Sequence, residues 1–174
     1  MGDVTERINK FWNLLAPVAL ILLFFWLAIV PHHIPNYGTI KPDFLLIIIF
    51  YWSVHRPGIM KPSVCFLIGL LLDIFSAFPL GLNALIFVII QKLISDQRRI
   101  FLGQPYYVSW IGFTLMCLLA NAIKVGVFYL INDGLTGLEE IYLNTMITIA
   151  IFPIVTILLI GSHKLMLRAE RKDV

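Results

Sequence analysis

From Tyr106 to Ile131 the chain runs through a mostly apolar stretch with a single charged side chain, Lys124. A bilayer core of about 30 Å takes about 20 consecutive, predominantly apolar residues in helical form, and this stretch exceeds that length. The rest of the chain agrees. Of 174 residues, 60% are hydrophobic and 13% charged, and mean hydropathy is +0.92. Soluble domains carry about a quarter charged residues, so the sequence describes a polytopic membrane protein and a lipid bilayer as its surroundings. The net charge of +3 implies no nucleic-acid partner here; the positions of the basic residues report orientation instead.

Proline and glycine clusters divide the chain into six apolar runs, at about 12–30, 42–54, 63–78, 80–95, 106–131 and 141–167, within one integral membrane domain covering 1–174. The first follows MGDVTERINK and has no A-x-A site before Pro31, so it reads as a retained span and not a cleaved signal peptide. PHHIPNYGTIKP, residues 31–42, reads as a loop. The second run begins after Pro42, with Asp43 placed to favour the positive end of the helix dipole. Twelve helical residues rise only about 18 Å, so this span is tilted, sheltered by protein, extended irregularly, or partly re-entrant. The third and fourth runs form a helical hairpin turning at Pro79. Pro153, inside the sixth, should kink it and needs a neighbour or water for the carbonyl it frees.

Lysine and arginine separate cleanly between the two ends of these runs. Arg7, Lys10, Arg56, Lys61, Lys92, Arg98, Arg99, Lys164, Arg168, Arg171 and Lys172 share one side, while Lys41 alone flanks the other, which also carries Asp133, Glu139 and Glu140. By the positive-inside rule both termini are expected to be cytoplasmic, in a multi-pass membrane protein. Aromatic residues fit the same frame: Trp12, Tyr51, Trp52, Tyr106, Tyr107 and Trp110 mark inner ends, and Trp26, Tyr37, Tyr129 and Tyr142 outer ones.

Polar groups within the spans are few. Asp73 lies in GLLLDIFSAFPLG, Gly69 to Gly81, five residues before Phe78 and so in the outer leaflet. A membrane-embedded charge costs about 2.5–3.5 kcal/mol on insertion scales and must be paired, hydrated or functional. One reading has its carboxylate accept hydrogen bonds from the backbone N–H groups of Leu80, Gly81, Leu82 and Asn83 at the start of the fourth helix. The other pairs it with Lys124, at similar depth on the fifth, with Asn121 one turn away completing a polar cluster of Asp73, Asn121 and Lys124. Lys124 could instead snorkel to the headgroups. Ala122 and Gly126 offer a small-residue strip for close helix approach.

Neither metal nor cofactor is expected. His32 and His33 have no spaced carboxylate or cysteine partners, and Cys65 and Cys117 sit in apolar segments as inert thiols. With no HExxH, GxSxG or Walker A loop and no carboxylate dyad, there is no visible catalytic arrangement, and the chain reads as a non-enzyme.

The segment KPDFLLIIIFYW (Lys41–Trp52), then Pro57, then GLLLDIFSAFPLGLNAL (Gly69–Leu85) resembles the rod shape-determining MreD family. In detail the resemblance covers roughly residues 41–99, with Pro42, Tyr51, Trp52, Pro57, Gly69, Asp73 and Gly81 present in order. It implies an all-α six-span bundle, similar to the substrate-binding subunits of energy-coupling-factor vitamin transporters. It also implies a non-enzymatic scaffold in the bacterial inner membrane, part of the cell-elongation (Rod) machinery that maintains rod shape through peptidoglycan synthesis. The implied partners are MreC, a periplasmic coiled-coil protein with one membrane helix, and indirectly MreB filaments and peptidoglycan synthases. The fold likeness leaves an alternative, a vitamin-type binding subunit of a transporter. Such a protein should line an outward pocket with convergent polar and aromatic groups, and the outer half of these spans offers few beyond Asp73, Asn83, Asn121 and Lys124.

Overall fold

In the computed structural model, residues 18–29, 32–34, 38–40, 42–76, 79–132 and 138–171 are described, with side chains from 18–29, 42–76, 79–131 and 141–161. The helices are α1 (Val18–Ile29), α2 (Phe44–His55), α3 (Pro62–Ser76), α4 (Leu82–Asp96), a single turn α5 (Arg98–Phe101), α6 (Tyr106–Asn132) and α7 (Leu138–Arg171). Between α1 and α2, where the prolines suggest only a loop, β1 (His32–Ile34) and β2 (Gly38–Ile40) form an antiparallel ribbon, His32 opposite Ile40 and His33 opposite Thr39. The ribbon's second strand packs on α7. Trp12 and Tyr37, expected at opposite interfaces, lie outside the described side chains.

Helix α2 is the axis of the fold. Every residue from Leu45 to Val54 is buried, and the helix contacts α4, α5, α6 and α7. Its burial shows shelter by protein, one of the four explanations for its shortness. Tyr51 and Trp52 are therefore core residues, 2% and 0% exposed, not members of an interfacial belt. The reason is position: α5 folds under the end of α2 and α7 runs past it. Trp26, Tyr106, Tyr107, Trp110, Tyr129 and Tyr142 are exposed, as belt residues should be.

Lipid is as apolar as leucine, so side-chain packing and polar caps must select this arrangement. Phe50 presents edge contacts to Phe101, Phe113 and Phe152 at centroid distances of 5.4, 5.5 and 5.7 Å, and Phe113 stacks on Phe152 at 4.2 Å. One aromatic knot thus joins α2, α5, α6 and α7. At the foot of α2 the Arg98 Nε–H donates to the Val54 carbonyl at 2.6 Å, a cation on the negative end of the helix. Pro57 follows at the second position of the turn closed by Ile59 N–H to Arg56 O, and Pro62 opens α3 at its first residue. Gln91 of α4 donates from Nε2 to the Met60 carbonyl at 2.9 Å and holds that turn to the bundle.

The carbonyl freed by Pro153 is that of Ile149, four residues earlier. Trp110 of α6 supplies its donor, with indole Nε1–H to Ile149 O at 3.2 Å. Trp110→Phe keeps the ring and removes the N–H, so it should destabilise the protein by about 1 kcal/mol. The loss should vanish in a Pro153→Ala background, where the residue 153 N–H bonds Ile149 itself. Equal losses in the two backgrounds, measured as thermal stability in detergent, would refute this role.

Candidate functional site

Helix α3 buries Cys65, Ile68, Gly69, Leu72 and Asp73, a single stripe at helical spacing. Phe66, Leu67, Leu71, Ile74 and Phe75 on its other faces are exposed. Two motif residues, Gly69 and Asp73, therefore sit one turn apart on the face that meets α4. At Gly69 the two backbones nearly touch: a Cβ there would lie 2.4 Å from Ala84 Cα and 2.5 Å from Ala84 N. The small strip at Ala122 and Gly126 marks no such contact, since a Cβ on Gly126 meets open space.

That closeness delivers Asp73, 1% exposed, onto the start of α4. Its Oδ2 accepts from Gly81 N–H at 2.9 Å and Ala84 N–H at 3.4 Å. Its Oδ1 accepts from Asn83 N–H at 3.1 Å and Asn83 Nδ2 at 2.8 Å. Gly81 makes the turn in the left-handed region, at φ +92°, where a glycine is needed. Four donors occupy the roughly four lone-pair sites of a carboxylate, so the charge is held by the positive end of a helix within its own hairpin. Both carboxylate oxygens are thus engaged within the hairpin.

Lys124 does not belong to this cluster. Its Nζ meets Asp43 Oδ2 at 2.5 Å, with the two side chains 12% and 20% exposed. The pairing expected with Asp73 fails because α6 passes the start of α2, while the Asp73 face of α3 packs on α4. Asp43 also donates its N–H to Thr148 Oγ1 at 3.0 Å, and Thr148 in turn donates to Asn144 O at 2.6 Å. One residue at the head of α2 thereby engages both α6 and α7, with buried Pro42 just before it. Asn121 turns to its own helix, donating to Cys117 O at 3.0 Å. The carboxylate at the head of α2 is visible in the sequence, yet its dipole reading hid its value as a partner for Lys124.

If Lys124 belongs to Asp43, Asp43→Asn and Lys124→Met should each cost about 2 kcal/mol, and the double variant clearly less than their sum. Combined with Asp73→Asn, Lys124→Met should be additive. Coupling between 73 and 124 in thermal stability would reverse the assignment.

The remaining motif residues are structural in their contacts. Tyr51 stacks on His55 at 4.2 Å and lies edge-on to Trp52 at 5.5 Å. Among the described residues no three His, Cys, Asp or Glu side chains converge as a metal site.

Residues 8–160 match the family model for rod shape-determining protein MreD. An uncharacterized protein of Rickettsia prowazekii (strain Madrid E) is 29% identical over 155 residues, covering 88% of this chain and 86% of that one. No solved structure matches.

Proposed function

This chain belongs to the rod shape-determining MreD family, and from that premise we propose that it is a non-enzymatic scaffold and regulatory subunit of the bacterial cell-elongation (Rod) complex. In this reading all six runs cross the inner membrane, both termini are cytoplasmic, and the fold is akin to the substrate-binding subunits of energy-coupling-factor transporters. The chain joins MreC in the membrane and, through the complex, links MreB filaments to peptidoglycan synthesis. The family match over most of the chain carries the proposal.

The geometry supports it in two ways. The intramembrane polar groups Asp73, Asp43 and Lys124 are engaged by internal partners, which suits a packing scaffold more than a transport or catalytic site. Large apolar faces of α3, α6 and α7 stay exposed, and a partner's membrane helix can pack there through van der Waals contact. A vitamin binder needs convergent polar groups in its pocket. The cavity beside the Gly81 turn, about 460 Å³, is lined by apolar residues including Phe66, Pro79, Leu85 and Val127.

Depleting the protein from rod-shaped cells should round them, and affinity purification should recover a coiled-coil membrane partner. Cells that keep their shape but require a vitamin would overturn the scaffold reading in favour of the transporter subunit.

A further inference from the structure

A second cavity, about 230 Å³, opens at the other end of the bundle, between the foot of α2, the α5–α6 turn and the middle of α7. Its inner wall is aromatic, from Phe50, Phe101 and Phe152, and its polar groups come from Tyr51, His55, Gln104, Tyr106, Ser109 and Thr156. The cavity exists because of local backbone choices. Gly112 lets the Phe101 ring lie against α6, where a Cβ would come within 2.2 Å of it. Gly103, at φ +80°, makes the turn between α5 and α6 that contributes to the lining. Residues 102–107 above it are all exposed, so the mouth is at the surface.

The volume corresponds to about eight waters at about 30 Å³ each, yet most of the wall is ring and aliphatic surface. An amphiphile fits such a lining better than water does. The lining holds no Lys or Arg; the cations stand on α5, whose Phe101 forms part of the wall. Arg98 caps Val54, the neighbour of His55, and uses only Nε–H among the described residues; four of its five N–H donors are left for an anion. Exposed Arg99 adds to the same field.

We infer that this cavity binds one phospholipid of the cytoplasmic leaflet, its glycerol and upper chains against Phe50 and Phe152 and its phosphate facing Arg98. The leaflet assignment rests on the topology proposed above; the site does not depend on the scaffold role. A lipid bound here would bridge α2, α5, α6 and α7 at the aromatic knot.

The test uses the full chain in nanodiscs of phosphatidylethanolamine and phosphatidylglycerol doped with a diazirine phosphatidylglycerol, with photoadducts mapped by mass spectrometry. Adducts should concentrate on residues 101–109 and 152–160 and saturate under competition by unlabelled phosphatidylglycerol. Diacylglycerol, which has no phosphate, should compete at least about tenfold less well. Ser109→Trp, which fills the cavity, should remove these adducts and leave those on exposed α3. Adducts spread evenly over the lipid-facing helices, or unsaturable labelling of wild-type protein, would overturn the site whether or not the variant folds. Equal competition by diacylglycerol would overturn the phosphate contact. Cell shape does not enter this readout, so it fails or succeeds separately from the scaffold proposal.

Discussion

Asp73→Ala is expected to destabilise the protein by about 3 kcal/mol or more, because it leaves the N–H groups of Gly81, Asn83 and Ala84 without their acceptor inside a buried hairpin. Charge-assisted bonds of this kind are about twice as strong as neutral ones, and no solvent replaces them at 1% exposure. Asp73→Asn should cost a similar amount. Its amide nitrogen would point a donor at donors and satisfy at most half the set. Asp73→Glu should not rescue, since the longer stem cannot fit where α3 and α4 are in backbone contact at Gly69. Thermal midpoint in detergent and steady-state accumulation in membranes are the measurements; near-wild-type values for Asp73→Asn would show that the charge is not what holds the turn.

Gly69→Ala should produce a loss of comparable size by a different route. The added methyl meets Ala84 Cα and N and Asn83 C at 2.4–2.8 Å, and these are backbone atoms that cannot rotate aside. Overpacking in a tight interface costs about 1–3 kcal/mol. Here the separation it forces also stretches the Asp73 bonds, so about 3 kcal/mol is expected. Gly81→Ala makes the contrast. Nothing lies within 4 Å of its Cβ position, so it should lose only the left-handed backbone preference, about 1–2 kcal/mol. If Gly69→Ala were no worse than Gly81→Ala, the close helix contact would not be the reason for the glycine.

These two residues also show how far sequence reasoning reaches. The carboxylate ahead of Pro79 and the orphan donors after it were enough to suggest a cap on α4, because both ends of that interaction lie within 11 residues of chain. The pairing of Lys124 spans 81 residues, and any carboxylate at its depth is a candidate until the neighbours of α6 are known. Tyr51 and Trp52 mislead for a related reason: an aromatic pair at a helix end looks interfacial, and only packing against the other helices, α5 and α7 among them, buries the pair. A helix that is apolar on every face carried the correcting signal, though hydropathy in a membrane protein does not distinguish lipid from protein. The Trp110 bond to Ile149 could not be assigned, although Pro153 announced that some donor was required.

By itself the sequence determined that this chain lives in a bilayer and where its helices run, and it offered the start of α4 as one of two partners for Asp73, since each depends on composition or on residues near one another along the chain. Tertiary structure decided that α2 is the core, that Lys124 serves Asp43, and that Phe50 gathers three other helices' rings. In hydrocarbon almost every apolar face is acceptable to lipid, and only the fitted contacts between helices choose which face meets which.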